Sequence, residues 1–466
     1  MSEEKTLAQK LEEKLLYKPK NLGQTRSEEE IKAAFDFCEN YKAFLDASKT
    51  ERETVTYAIN RLKAEGFAEF EAGKKYSAGD KIYYNNRGKA LIAAVIGKKS
   101  LEEGTRLTAA HTDCPRLDLK PRPLYEDTEL ALFKTHYYGG IKKYQWTATP
   151  LALHGVICRQ DGTSAIVNIG EDAGDPVFCV TDLLPHLAKE QAALPIGKAI
   201  KGENLNLLVG SLPFKDDKAS NLVKLNILKL LNEKYGVVEA DFVRAELELV
   251  PAVKAADVGF DRSLIGAYGH DDRSCAYTSF MAFIECKEPE YTAALILADK
   301  EETGSNSSTG LDTSFFRYFY EDLALSAGVN PRAVFSKSKC LSADVTAGLD
   351  PTYPEVHDKH NAALLNYGVC LAKYTGSGGK YSTNDASAEF VAEITNLLDG
   401  EGVQWQMDEL GVIDLGGGGT VAIYLAALDI DTLDIGIPVL SMHSPFELVS
   451  KLDTYETYRA FKAFYK

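Results

Sequence analysis

The run 291–297, YTAALIL, constrains the chain most. Apolar almost throughout and too short for an ordinary helix, it reads as a strand covered on both faces, which requires helices above and below the sheet. It continues into ADKEETGS, 298–305, where Glu301 and Glu302 stand side by side. Adjacent like charges at the end of a buried strand repel unless something neutralises them. A solvated turn is the ordinary explanation of a Glu-Glu pair, so the rest of the sequence has to decide.

The pattern around this run alternates. TRLTAAH, 105–111, is a second buried strand, and 81–97 reads as two strands joined by an Asn-Arg-Gly turn. Residues 5–18 carry Leu7, Leu11, Leu15 and Leu16 at helical spacing, and 28–65 repeat the pattern after a helix start at SEEE, 27–30. Both stretches are expected as amphipathic helices on the body of the first domain. From 121 to 250 the pieces shorten and become β-rich, with one expected helix over 216–235 that closes on Gly236. After 251 the alternation returns, with helices expected at 274–287, 314–324 and 384–400, the last with an Asn or Asp start and a Gly stop. A chain of 466 residues accommodates two domains. The expected fold class is α/β, with 1–120 plus 251–466 as one domain and 121–250 as a β-rich insertion.

The net charge of -16 argues against nucleic acid and anionic membranes as partners. The eight cysteines are scattered without a CxxC pair, which suits free thiols in a reducing compartment. The amino-terminal stretch is charged from its third residue, and no run of about 18 apolar residues occurs, so neither a signal peptide nor a membrane span is expected. The expected location is cytoplasmic.

Residues of metal-binding type gather where strands end. They are His111 and Asp113 in AAHTDCP, Asp271 and Asp272 in GHDDRSC, the Glu301–Glu302 pair, Asp344 in LSADVTAG and His443 in LSMHSPFE. Open α/β sheets bind ligands outside the carboxyl ends of their strands. Two imidazoles with several carboxylates, and no thiolate at ligand spacing, suit zinc or a similar divalent ion. Each piece alone has a plain structural reading: a hydrogen-bonded core histidine, a solvated acidic turn, a helix cap at Asp344. Their joint placement at five strand ends is what a site looks like.

The ordered set HTDCPRLDLK, HDDRSC, DKEETGS, SADVTAG and GGGGTVA…DIGIPVLSMHSPFE resembles the M18 family of aminopeptidases, the aspartyl aminopeptidase group. The match spans nearly the whole chain, including HYYGG and LLPHLAKE in the insertion. The resemblance implies a zinc-peptidase-type α/β/α catalytic domain interrupted by an oligomerisation domain, with two Zn2+ per subunit and Mn2+ or Co2+ able to substitute. It implies that Asp271 bridges the two ions, that His111 and Asp344 complete one site, and that Glu302 and His443 complete the other. Asp113 would orient His111, a usual partner for a ligating histidine, and the Asp271–Asp272 peptide would be cis. Glu301 would be the general base, moving a proton from water to the leaving amine, while the cations polarise the scissile carbonyl. The two charges at Glu301 and Glu302 would then have their counterions.

The resemblance further implies that His186 in LLPHLAKE reaches a neighbouring subunit's site to hold the substrate carbonyl. Tyr381 would lie near the pocket, and Lys373 would pair with an acidic substrate side chain. Assembly would run through dimers to a tetrahedral dodecamer, with peptides as substrates. GGGG at 416–419 lacks the Lys-Ser/Thr of a phosphate loop, so close backbone approach to the substrate or metal site is its expected role. His136, His154, His270, His357 and His360 are expected to be structural. The chain departs from the family at Asp272–Arg273, at Cys114 and at QWTATPLALHG, so preference for N-terminal Asp or Glu and a broader or neutral preference both stay open. A deacylase or carboxypeptidase of the same clan, and a catalytically silent oligomeric scaffold, are the competing readings. The intact ligand set opposes the scaffold.

Overall fold

The structure is a computed structural model that describes residues 5–466. Its central sheet has nine strands, and four neighbours at its heart are parallel: Thr292–Ala298, Thr105–His111, Lys339–Ala343 and Asp431–Gly436. Every residue of Thr292–Ala298 is buried, as its unbroken apolar pattern requires. Ala298 pairs with His111, so the chain leaves the sheet at these two points side by side. Strands Ala90–Val95 and Lys81–Asn86 add antiparallel on one side, joined by the expected turn. Val369–Ala372 and Trp405–Met407 close the other side.

Helices cover both faces and make three layers. Glu28–Ala47, Glu51–Ala64, His270–Glu285, Ala388–Gly400 and Lys451–Phe464 pack on one face around Phe283, Leu295, Leu341 and Phe461. Phe315–Ser326 and Pro331–Lys337 pack on the other around Ile296, Phe316 and Phe335. The long periodic stretch after Ser27 is two helices. Ser27 with Glu30 and Thr50 with Glu53 each form a capping box, and Ser48 and Lys49 fall between them.

A second sheet of seven strands, antiparallel throughout, runs from Arg116–Asp127 to Ala245–Pro251. Its first and last strands reach beyond 121 and 250, to Arg116 and Pro251. Its core holds Phe133, Trp146, Phe242 and Leu249. A third sheet pairs Leu264–Ala267 with Glu447–Ser450, aligning Ala267 with Glu447.

Three local expectations need correction. The helix expected over 216–235 is Leu222–Tyr235, because Asp216 accepts the Lys218 and Ala219 amides in a turn; the Gly236 stop, at φ 66, is as expected. Helix Ala388–Gly400 is capped by Ser387, which accepts the Phe390 amide, and not by Asn384 or Asp385. Helix Leu7–Leu15 does not lie on the body: all its residues are exposed, Leu7 and Leu15 among them. Tyr17, two residues past its end, stacks on Trp405 with ring centroids 5.8 Å apart.

Candidate metal centre and active site

Each expected ligand leaves a different element and turns to one point. His111 ends its strand, Asp344 follows Lys339–Ala343 directly, and Glu301 and Glu302 form a short turn after Lys300, which has φ 70. Asp271 opens helix His270–Glu285, and its peptide bond to Asp272 is cis. His443 stands in the loop after Pro438–Leu440 at φ 63, a conformation uncommon outside glycine.

Asp271 lies between the two histidines. Its Oδ1 is 3.1 Å from His111 Nε2 and its Oδ2 is 3.0 Å from His443 Nε2. Glu302 Oε1 is 3.4 Å from His443 Nε2, and Asp344 Oδ1 is 3.8 Å from His111 Nε2. Ligand atoms of a tetrahedral zinc ion, with bonds of about 2.0–2.2 Å, sit roughly 3.3 Å apart. Donor atoms of His111, Asp271 and Glu302 lie within 4.8 Å of one another, and so do those of His111, Asp272 and Asp344.

The residues fit a cation. His111 Nε2, Glu302 Oε1 and Asp272 Oδ1 are buried without a hydrogen-bond partner, a costly state for polar atoms. Burial pushes Glu302 and Asp344 well above the usual carboxylate range. Burial works against a charged imidazole, yet the Asp271 and Glu302 carboxylates lift His443 to about 10. These shifts all point to a place that favours positive charge. Glu301 stands slightly apart, its Oε2 4.0 Å from His111 Nε2, and burial first of all raises its carboxyl to about 7.

The supporting contacts differ from the expectation at Asp113. Its backbone carbonyl, not its carboxylate, meets His111 Nδ1 at 2.9 Å; the carboxylate is 3.6 Å away, too far for a hydrogen bond. The Asp113 carboxylate instead accepts the amides of Glu301 at 3.1 Å and Glu302 at 3.2 Å, and the Tyr138 hydroxyl at 2.6 Å. Cys114 donates to the Asp271 carbonyl, and the buried Arg273 donates to the carbonyls of Tyr268, Gly269 and Ser48. His270 is structural as expected: it bridges Tyr41 and the Ile265 carbonyl, and burial lowers it to about 3.

Sequence reasoning missed Glu447. Its buried carboxylate accepts the Asp271 amide at 3.1 Å and the His443 amide at 2.6 Å, tying two ligands together. It lies four residues past His443, but only the Ala267–Glu447 register brings it to Asp271. Asp408 and Asp434 were also missed; both line the site's cavity of about 290 Å³ beside Leu410, Ile435 and Met442. Gly418 and Gly419 line it too. Gly417 also lines it, and a Cβ on Gly416 or Gly417 would strike the Leu410 or Gly376 carbonyl, at 2.0 and 1.7 Å.

The structure does not bring the other three candidates to this cavity. Lys373 is 2.6 Å from Asp385, Tyr381 is exposed, and His186 sits on an exposed turn of the second sheet's domain.

Residues 44–465 match the family model for aminopeptidase I zinc metalloproteases, M18. The chain belongs to the M18 family. It is a zinc-dependent aminopeptidase, a hydrolase of the metalloexopeptidase type. A probable M18 family aminopeptidase 1 from Clostridium acetobutylicum is 48% identical, over 97% of this chain and 98% of that one. The crystal structure of an M18 aminopeptidase from Thermotoga maritima, 45% identical, superposes with a TM-score of 0.92 over 97% of this chain and all of that one. Aminopeptidase I from Clostridium acetobutylicum gives a TM-score of 0.89 at 45% identity, again over 97% of this chain and all of that one. The α/β class and the family resemblance both stand. Among the described residues no helix is long and apolar enough to cross a membrane.

Proposed function

We propose that the chain removes N-terminal residues from peptides at a centre for two Zn2+ ions, with Asp271 shared, His111 and Asp344 on one side, and Glu302 and His443 on the other. The observation that carries this reading is the Asp271 carboxylate, which turns one oxygen to each imidazole. Mn2+ or Co2+ suits the same donors. Bound there, the cations supply Lewis acidity for the scissile carbonyl and lower the pKa of water towards about 7.

Glu301 is the proton carrier in this reading. Its carboxyl is mostly buried, lies 4.0 Å from His111 Nε2 and belongs to neither close donor set, so it is placed to take a proton from water and give it to the leaving amine. Asp113 fixes the backbone of Glu301 and Glu302 together, so one carboxylate stays a ligand while its neighbour stays free. The adjacent glutamates of the opening run thereby acquire different tasks.

The lining favours neutral N-terminal residues. Among the described residues no lysine or arginine lines the cavity, whereas Asp408 and Asp434 do. An acidic substrate side chain would meet these two carboxylates and no lysine or arginine, and Lys373 is already engaged by Asp385.

His186 is read as acting in a neighbouring subunit. Around it Leu183, Leu184, Leu187, Leu194 and Ile196 are exposed, the kind of apolar patch that marks an interface. The patch supports 121–250 as a dimerisation insertion. Assembly of such dimers to a tetrahedral dodecamer, in the cytoplasm, completes this reading.

The test is hydrolysis of aminoacyl-p-nitroanilides of Leu, Ala, Lys, Asp and Glu, with and without prior chelation. Cleavage centred on Leu or Ala that chelation abolishes is expected. Cleavage centred on Asp or Glu would overturn the neutral preference, and turnover of N-acetylated peptides would favour the deacylase reading.

A further inference from the structure

The inserted sheet reaches the metal centre through three consecutive residues. Strand Leu130–Tyr138 ends with Tyr138 buried and its hydroxyl donating to Asp113 Oδ2 at 2.6 Å. That carboxylate holds the amides of Glu301 and Glu302. Two residues on, the Gly140 carbonyl faces His443 Nδ1 at 2.9 Å. A carbonyl only accepts, so Nδ1 carries the hydrogen and Nε2 keeps its lone pair towards Asp271 and Glu302. Gly139, between them, has φ 70, and a Cβ there would come within 3.2 Å of Glu302 Oε2.

Tyr138 is itself held from the inserted side. Its ring lies 4.2 Å from the Arg116 guanidinium and 4.8 Å from Lys300 Nζ. Arg116 is buried and pairs with Glu51, Asp118 and Glu248. The line from Arg116 through Tyr138 to Asp113 therefore joins the second sheet to the turn that carries Glu301 and Glu302.

We propose that Tyr138 and Gly140 are positioning residues through which the inserted sheet holds both halves of the metal centre, Tyr138 acting through Asp113 on the Glu301–Glu302 turn and Gly140 acting on His443. The proposal rests on the metal-centre reading above. Outer partners of ligands set ligand orientation, and their loss typically costs about 10–100-fold in metal affinity or activity.

The test uses the full chain loaded with Zn2+ or Co2+. Tyr138→Phe removes the hydroxyl and leaves the ring over Arg116. Zinc transfer to a colorimetric chelator is expected to quicken by about tenfold or more. The visible spectrum of the Co2+ protein should change, and kcat should fall with KM within about twofold. Thermal unfolding of the chelated protein should move by no more than the few degrees that one buried hydrogen bond is worth. Tyr137→Phe, at the exposed neighbour, should alter none of these. Gly139→Ala is the second variant: it pushes the segment off Glu302 without touching the hydroxyl and should move zinc loss and the Co2+ spectrum likewise. If both variants leave these two readouts at wild-type values while His443→Ala loses zinc, the positioning role is overturned and the metal centre stands. If His443→Ala keeps its zinc and its Co2+ spectrum, the metal-centre reading itself fails.

Discussion

Glu301→Gln separates the two adjacent glutamates. The substitution keeps side-chain shape and the amide that Asp113 holds at 3.1 Å. Glu301 belongs to neither close donor set, and its nearest approach to the histidine ligand is 4.0 Å, so metal content should stay within about twofold of wild type. What disappears is a proton acceptor beside the donor set that is not itself one of the close donors. A well-placed general base contributes about 10²–10⁴ in rate, which is roughly 3–5 kcal/mol of barrier. The variant should therefore hold its zinc and lose at least about a hundredfold in kcat. Glu302→Gln should behave oppositely. Its Oε1 is buried without a partner, 3.4 Å from His443 Nε2, so losing its charge should weaken metal binding first. The assay pairs kcat for leucyl-p-nitroanilide with zinc per chain measured by mass spectrometry. A Glu301→Gln protein that keeps more than about a tenth of wild-type kcat with full zinc would refute the proton-carrier role.

Three further outcomes follow from the packing. His154 sits between Glu53 at 2.8 Å and Glu171 at 3.2 Å, and although burial opposes a charge there, these carboxylates raise its pKa above the ordinary value. Its stabilisation is full below the unfolded value of about 6.5 and is lost as pH rises through the folded one. The melting-temperature advantage of wild type over His154→Gln should thus shrink with rising pH, and growth would contradict the ion-pair assignment. Arg116→Met strands the buried carboxylates of Glu51 and Glu248 and should cost about 3–5 kcal/mol in urea unfolding; a loss under about 1 kcal/mol would contradict that. Gly417→Ala, at φ 98 with a backbone oxygen 1.7 Å from the new Cβ, should lower the melting temperature, whereas Gly418→Ala, with nothing within 4 Å, should not.

Much of the centre was legible because its donors end buried strands. His111, Glu301, Glu302 and Asp344 each follow an apolar run whose burial fixes where it stops, and the parallel sheet gathers those ends. What the sequence hid depends on long-range register. Glu447 reaches Asp271 only because Ala267 pairs with it. Tyr138 and Gly140 reach Asp113 and His443 only because the inserted sheet abuts the catalytic one. The helix cap at Ser387 was obscured by competing Asx residues. Asn384 instead donates to the Thr432 carbonyl at 2.6 Å, and Asp385 pairs with Lys373 and Lys380. The leucines of Leu7–Leu15 carry a helical period correctly, but periodicity says nothing about what the apolar face will meet.

In the proposed centre, Asp271 and the four side chains around it hold two cations needed for turnover. The most direct measurement is calorimetric titration of the chelated protein with Zn2+, with leucyl-p-nitroanilide hydrolysis followed on the same samples. Two ions bound per chain, with activity returning as they bind, is the expected result. Fewer than two, or full turnover after exhaustive chelation, would contradict it.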